Sequence, residues 1–398
     1  MRSLNKNIIF VHTRGNWWDH RYYYKQMPAL IEGGFNVTYL VEKDSSINDS
    51  SLNIIQLSGK KIKLIRLTGG LNLLLIILRS KNRIVQICNL ELLPLGIALS
   101  LFTRSKVFYD CREDHYNAML FSKTWFPKWI RYILAQSVKF IEFLASATFT
   151  GFIVSDPAIY SMHRFMPSKK KMLFYNMALK SQFIDQNFNE RLDSSTFDLT
   201  VLGSMSIRTG VLDVVEAIAE LKRMERKVTL KLIGDPRKDK VLWDKILQII
   251  NKENLDDCIT ITGKVPYSKV PETLKGCKIA IIPLLNLPKF QNNIATKQFE
   301  YMASSLAIIS SKLVPQQYFI KEGFNGLFYE AGNVNDLKDK IVSLLDNPDE
   351  INRLGLNGRK KILEDWNAEN QQKKYLEFYN LRLKKLPYTE NQLPPIVI

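Results

Sequence analysis

The chain has 398 residues and a mass of 46.1 kDa, which suits two domains of about 200 residues better than one core. Hydrophobic residues make up 46% and charged residues 24%, a globular composition that excludes a disordered chain. Lys+Arg 56 against Asp+Glu 39 gives a net charge of +17, and a surplus of that size points to an anionic partner: nucleic acid, an acidic membrane face or a phosphorylated ligand.

The surplus is uneven. Residues 1–190 carry 25 Lys+Arg and 13 Asp+Glu, a net of +12, and residues 191–398 carry 31 and 26, a net of +5. The four cysteines, Cys88, Cys111, Cys258 and Cys277, form no C-x-x-C pair, and there are only four histidines. A disulfide framework and a structural zinc site are therefore not expected, and a reducing compartment is. The N-terminus has no signal-peptide pattern, and no segment has the roughly 20 apolar residues of a membrane span.

In chain order, the first half predicts strands at IIFVHT (8–13), VTYLVE (37–42), IIQLS (54–58), KIKLIR (61–66), IVQIC (84–88), KVFYDC (106–111), TFTGFIV (148–154) and KMLFYN (171–176). Helical patterns lie between them, at 19–32, 70–80 and 125–144. The polar stretch DQNFNERLDSST (185–196) reads as a linker. The alternation then restarts with DLTVLGS (198–204), VTLKLIG (228–234), CITITG (258–263), KIAIIPL (278–284), LAIISS (306–311) and GLFYE (326–330), and a last helix spans about 366–385.

Apolar strands alternating with helices predict parallel sheets covered on both faces. The expected fold class is α/β, with two Rossmann-like doubly wound domains facing each other across a cleft. The expected domains are 1–190 and 191–398, with the terminal helix a candidate to pack back on the first. Ligands of such domains bind beyond the carboxyl ends of the strands, so the chemistry is sought in four loops.

After the first strand come Gly15 and Asp19. A glycine there admits a phosphate to the backbone amides, and an ordinary βα turn looks the same. After strand 106–111, Asp110, Arg112, Glu113, Asp114 and His115 crowd six positions. Acid–base chemistry and a helix N-cap both fit. After strand 198–204, Gly203 is followed by Arg208 and a helix from about Gly210. A cation beside exposed amides suits a diphosphate, although neither G-x-G-x-x-G nor a P-loop is present. In the fourth loop Asn292, Thr296 and Lys297 lead into a helix at about 296–304 that carries Glu300. An acid at that depth can accept both hydroxyls of a ribose, or can lie solvated on an amphipathic helix.

This fourth segment, KQFEYMASSLAIISSKLVPQQYFIKEGFNGLFYEAGNVNDL, resembles the donor-side signature of the retaining family 4 glycosyltransferases, of the bacterial capsule and exopolysaccharide type, which have the GT-B fold. Its counterparts are Lys297, Glu300, Tyr301, Met302 and Ala303, then Asn325, Gly326 and Leu327, then Gly332 to Leu337. The opening run resembles the family through His12, Asp19, Arg21, Lys25, Leu30, Gly34 and Val37, and YDCREDHY resembles its Y-D-x-H-E-D segment. The likeness runs in order from residue 7 to about 380.

The resemblance implies a metal-independent enzyme without a cofactor, which moves a sugar from a nucleotide-diphosphate sugar to a glycan acceptor. The N-terminal domain would hold the acceptor and the C-terminal domain the donor. Glu300 would bind the ribose hydroxyls, Arg208 and Lys297 would neutralise the diphosphate, and Gly15 would offer its amide. Gly203, Asn292 and Thr296 complete the donor set. The chain has no D-x-D triplet to hold a metal. Three positions depart from the family: Asn292 stands for the first Glu of E-x7-E, Thr209 for the usual Lys or Arg before Gly210, and Arg112 for a His. An arginine cannot accept a proton, so Asp19, Glu113, Asp114 and His115 stand as unranked catalytic candidates.

Many relatives use a polyprenyl-diphosphate-linked acceptor at the inner face of the plasma membrane. That would give the basic first domain an anionic membrane as partner and the protein a cytoplasmic, peripheral location in surface polysaccharide synthesis. WFPKWIRYILAQSVKFIEFL (125–144) suits an interfacial helix, and its apolar content favours a buried helix with a solvated stripe. Ser168-Lys169-Lys170-Lys171 is a basic run before a strand that suits a membrane surface and equally a plainly solvated loop. A nucleotide-sugar epimerase of the same fold is the nearer rival. A nucleic-acid-binding protein is the remote one, since no such motif is present. The donor sugar, its base, the acceptor and the linkage are not legible.

Overall fold

The computed structural model describes residues 6–14, 17–44, 52–68, 70–79, 84–123, 125–163, 165–184 and 196–389. The chain divides into two compact units. The first is Met1–Asn176 with Glu369–Ile398, and the second is Met177–Ala368. The domain boundary expected at 190/191 is thus corrected to Asn176/Met177, and the C-terminal segment belongs to the first unit. Residues 185–195 of the expected linker lie outside the described residues.

The first unit is built on β1 (Asn7–Val11), β2 (Asn36–Glu42), β3 (Asn53–Leu57), β4 (Ile84–Ile87), β5 (Lys106–Cys111), β6 (Gly151–Val154) and β7 (Lys171–Leu173). They form one sheet in the order β3-β2-β1-β4-β5-β6-β7, and every pairing is parallel. Their central stretches are buried, as expected of a sheet covered on both faces. KIKLIR was expected as a strand and is helical within Gly59–Leu67. Ile62 and Ile65 are its buried residues, a spacing of three that fits a helix face and not the alternation of a strand, and Ser58 caps its start.

The terminal helix Ala368–Leu383 packs its Tyr375, Phe378 and Tyr379 into the core of this unit, beside Phe10, Phe35 and Phe108. A buried polar chain fixes it there. Arg21 donates to both oxygens of Asp110 at 2.8 and 2.9 Å, and to the carbonyl of Phe174 at 2.7 Å. Gln26 donates to Asp110 at 2.7 Å and accepts from Gln86 at 2.6 Å. The hydroxyls of Tyr375 and Tyr379 both donate to Gln86 Oε1 at 2.5 Å.

The second unit holds β8 (Phe197–Leu202), β9 (Leu230–Ile233), β10 (Ile259–Ile261), β11 (Cys277–Ile282), β12 (Ala307–Ser311) and β13 (Gly326–Tyr329). The sheet order is β10-β9-β8-β11-β12-β13, again all parallel. The order reverses at β8 and β11, and a crevice beyond their carboxyl ends is where such sheets receive ligands.

The helix Lys128–Thr148 inverts the usual burial. Its buried residues are Ala135, Val138, Glu142, Ala145 and Ser146, small side chains and one acid. Trp129, Tyr132, Ile133, Phe140 and Phe143 are half or more exposed, Trp129 at 66% and Phe140 at 62%. The buried helix with a solvated stripe expected at 125–144 is therefore corrected. The face that packs against the neighbouring helices carries mostly small side chains, and the large aromatic ones lie on the opposite, exposed side.

Candidate functional site

In the second unit the site residues gather where β8 ends. Gly203 follows the strand at φ 114°, a conformation open to glycine, and a Cβ there would lie 3.9 Å from Lys297 Nζ. The lysine thus reaches back over the strand end from the first residue of the helix Lys297–Ala303. Tyr301, one turn on along the same face, accepts the backbone N–H of Leu202 through its buried hydroxyl at 2.6 Å. Glu300 lies between them in sequence and is 5% exposed.

Burial pushes the Lys297 pKa down to about 8, with the Glu300 carboxylate opposing the shift. The ammonium is half-buried and short of hydration, so an anion placed beside it would be held strongly. Thr296 is the N-cap residue and makes no side-chain cap; the Gln298 and Phe299 N–H groups behind it donate to the Ala295 and Thr296 carbonyls at 3.1 Å. Asn292 is half-buried in the loop before it.

The loop between β8 and the helix Val211–Arg223 is tied down locally. Thr209 Oγ1 accepts from the Ser206 N–H at 3.0 Å and donates to the Ser206 carbonyl at 2.8 Å. The Ile207 N–H is held by Asp239 at 2.9 Å. Thr209 thus closes the turn, where the family resemblance expected a cation. Arg208 beside it is exposed and makes no hydrogen bond or ion pair among the described residues. Gly210 ends the loop at φ 67°, and a Cβ there would strike the Pro283 carbonyl oxygen at 1.7 Å. Only glycine lets the end of β11 pass that close.

In the first unit, Gly15 lies outside the described residues. The preceding residues are pinned: the Thr13 N–H donates to Asn89 at 2.8 Å and its hydroxyl to Glu91 at 2.8 Å. Asp19 receives Arg112 Nη1 at 2.8 Å and the Arg21 N–H at 3.0 Å. Burial alone would raise its pKa, but Arg112 overrides it and holds the carboxyl far below the usual range. Asp19 is an ion-pair partner and a weak base. Asp114 caps the helix His115–Ser122, accepting from the Asn117 N–H at 2.9 Å. Glu113 is exposed. His115 is half-buried, and burial lowers its pKa despite the opposing Glu142 carboxylate.

His12, at the end of β1, was not among the catalytic candidates. It is buried, its Nδ1 lies 2.9 Å from the Tyr39 hydroxyl, and burial pushes its pKa down to about 4, so the ring is neutral at pH 7. Its only signal in the sequence was its place in the opening run that resembles the family. The structure brings Gly203, Lys297 and Glu300 to one strand end and leaves Arg208 exposed on the adjacent loop. It places Asp19 and Asp114 in structural hydrogen bonds.

Both units are doubly wound α/β domains of the class that binds ligands at strand ends. Residues 183–361 match the family model of the glycosyl transferases group 1, and that stretch contains Gly203, Arg208, Asn292, Thr296, Lys297 and Glu300. An uncharacterized glycosyltransferase of Methanocaldococcus jannaschii is 28% identical over 158 residues, which is 40% of this chain and 41% of the relative. The chain thus matches less than half the length of that curated relative.

Among solved structures, the sucrose-phosphate synthase of Thermosynechococcus elongatus superposes with a TM-score of 0.76 at 15% identity, covering 96% of this chain and all of that one (100%). The HepE protein of Anabaena, in complex with UDP and glucose, gives a TM-score of 0.71 at 12% identity over 94% of this chain and 99% of its own. The fold is the two-domain α/β class of the GT-B glycosyltransferases.

Proposed function

We propose that the protein is a retaining glycosyltransferase of the capsule and exopolysaccharide type, which moves a sugar from a nucleotide-diphosphate sugar to a polyprenyl-diphosphate-linked glycan. The observation that carries this reading is Lys297 lying over Gly203 with Glu300 buried on the same helix. In this reading the diphosphate rests on the backbone beyond Gly203, against Lys297 and Arg208 and the start of the helix Lys297–Ala303. Glu300 takes the ribose hydroxyls. Thr296 and Asn292 line the approach.

Charge builds on the diphosphate as the glycosidic bond breaks. A cation fixed there stabilises the transition state more than the ground state. Transfer then needs no divalent ion at the diphosphate. The leaving phosphate can take the acceptor proton, so the ion-paired Asp19 and the capping Asp114 are not required as bases. Among the described residues, Glu113 and His115 are the candidates whose side chains no such bond occupies.

Two features favour an acceptor at a membrane: the net +12 of residues 1–190, and the exposed aromatic face of the helix Lys128–Thr148. No described helix is long and apolar enough to cross a membrane, so this reading makes the contact peripheral, at the cytoplasmic leaflet. The deciding experiment is a thermal-shift panel of nucleotide sugars, followed by product analysis with a lipid-linked acceptor. Transfer gives free nucleoside diphosphate and a lengthened acceptor. An isomerised or released sugar would make the protein an epimerase-type enzyme instead.

A further inference from the structure

The first unit holds a buried cluster that the transferase reading does not use. Cys111 ends β5, Glu142 is the one acid on the buried face of the helix Lys128–Thr148, and His163 follows the helix Pro157–Met162. One sulfur, one carboxylate oxygen and one ring nitrogen lie within 4.8 Å of one another, and all three residues are buried. His163 Nε2 is 3.2 Å from Glu142 Oε2 and 4.0 Å from Cys111 Sγ. A tetrahedral ion with bonds of about 2.0–2.3 Å sets its ligands about 3.3–3.8 Å apart, so these atoms need to move only slightly to share one.

We propose that Cys111, Glu142 and His163 bind a zinc ion, independently of the donor residues in the second unit. Two observations and the charge balance converge on it. His163 Nδ1 lies 2.8 Å from the Ile159 carbonyl oxygen. His163 Nε2 pairs with Glu142 Oε2 at 3.2 Å. With Nδ1 donating to Ile159, an ion that displaces the Nε2 proton would meet that nitrogen's lone pair inside the cluster, the usual second contact of a metal-bound histidine. Glu142 Oε1 is buried with no hydrogen-bond partner among the described residues, a cost that a cation removes. Thiolate, carboxylate and neutral imidazole on a divalent ion sum to zero charge, which suits a buried place. A thiolate beside an imidazole selects zinc over magnesium or calcium.

Three protein ligands leave a fourth position for water. The ion clamps the end of β5 to two helices and so steadies residues 112–115 of the acceptor-side loop. The site was not legible in the sequence because its ligands are far apart: 52 residues separate Cys111 from His163, and 21 separate Glu142 from His163.

The test is metal binding by the full chain after chelator treatment. Cobalt(II) is expected to bind at one equivalent, with a near-ultraviolet thiolate-to-cobalt charge-transfer band that zinc abolishes. Zinc is expected to raise the melting temperature. Cys111→Ser and His163→Gln should each lose the band and more than the ~10–100-fold in affinity that an outer-shell partner is worth. If one of them fails to fold, Glu142→Gln gives the same reading. No stoichiometric binding, or a band that persists in Cys111→Ser, would overturn the site.

Discussion

The hydroxyl of Tyr301 accepts the backbone N–H of Leu202 at 2.6 Å and ties the helix Lys297–Ala303 to the end of β8. Both groups come from different parts of the chain, and the bond sets Lys297 over Gly203. Tyr301→Phe removes the acceptor and leaves a buried N–H unpaired, at a cost of about 1–3 kcal/mol. The expected result is a melting temperature lower by about 2–4 °C per kcal/mol, together with weaker nucleotide binding. Unchanged melting would mean that water replaces the hydroxyl, and the tie would then not position the lysine.

Lys297 should make donor binding pH-dependent. Its pKa in the free protein is pushed down to about 8, and a bound diphosphate raises it. Below pH 8 the ammonium is present in both states, so the affinity is flat. Above pH 8 binding must take up a proton, and the affinity falls by up to about tenfold per pH unit until the bound-state pKa is reached. Lys297→Arg should flatten this slope, because arginine stays charged. Calorimetry with a nucleoside diphosphate from pH 7 to 10 reads it, and a slope that survives Lys297→Arg would assign the proton elsewhere.

Glu300 is the ribose partner in the proposed site. Glu300→Ala removes two charge-assisted acceptors worth about 1.5–3 kcal/mol each. Binding of a nucleoside diphosphate should weaken by at least about tenfold. Inorganic diphosphate, which has no ribose, should bind as to the wild type. Equal losses for both ligands would move Glu300 from ribose recognition to general support of Lys297.

The alternation of strand and helix was legible because each unit is a parallel sheet with both faces covered, which writes long apolar runs into the chain. KIKLIR misled because Ile62 and Ile65 also sit in a short apolar run, and only their shared burial shows the helical period. The helix that carries Lys297, Glu300 and Tyr301 was legible, since their spacing resembles the family signature and the helix is found at Lys297–Ala303. The capping role of Asp114 was one of two readings of its loop. The ion pair of Asp19 with Arg112 was not legible, since it joins two loops distant in sequence. Nor was the inverted burial of Lys128–Thr148, because hydrophobicity alone does not say which face a close neighbour leaves room for.

Asp110 stands in β5, just before the acid-rich loop, and its carboxylate is spent on Arg21 and Gln26 inside the first unit. Asp110→Asn leaves the buried guanidinium uncompensated, at about 3–5 kcal/mol. The expected phenotype is a lower melting temperature and less soluble protein, with the nucleotide affinity of the folded fraction unchanged. A stable Asp110→Asn protein that had lost transfer activity would instead place Asp110 in the chemistry.

The exposed face of Lys128–Thr148 gives the membrane reading its own test. Trp129, Phe140 and Phe143 are at least half exposed on a helix whose small residues face the protein. Burying such side chains in a bilayer interface gains roughly 1.5–3 kcal/mol each, and nearby lysines add about 1 kcal/mol apiece on an anionic leaflet. Co-sedimentation with vesicles should therefore need anionic lipid and weaken with salt, as the Debye length shrinks to about 8 Å at 0.15 M. Trp129→Ser with Phe140→Ser should reduce binding by at least about 100-fold, while the same protein keeps its nucleotide affinity. Equal binding to neutral vesicles would remove the electrostatic part. Full binding by the double variant would remove the helix from the contact, and the net +12 of residues 1–190 would have to act through another surface.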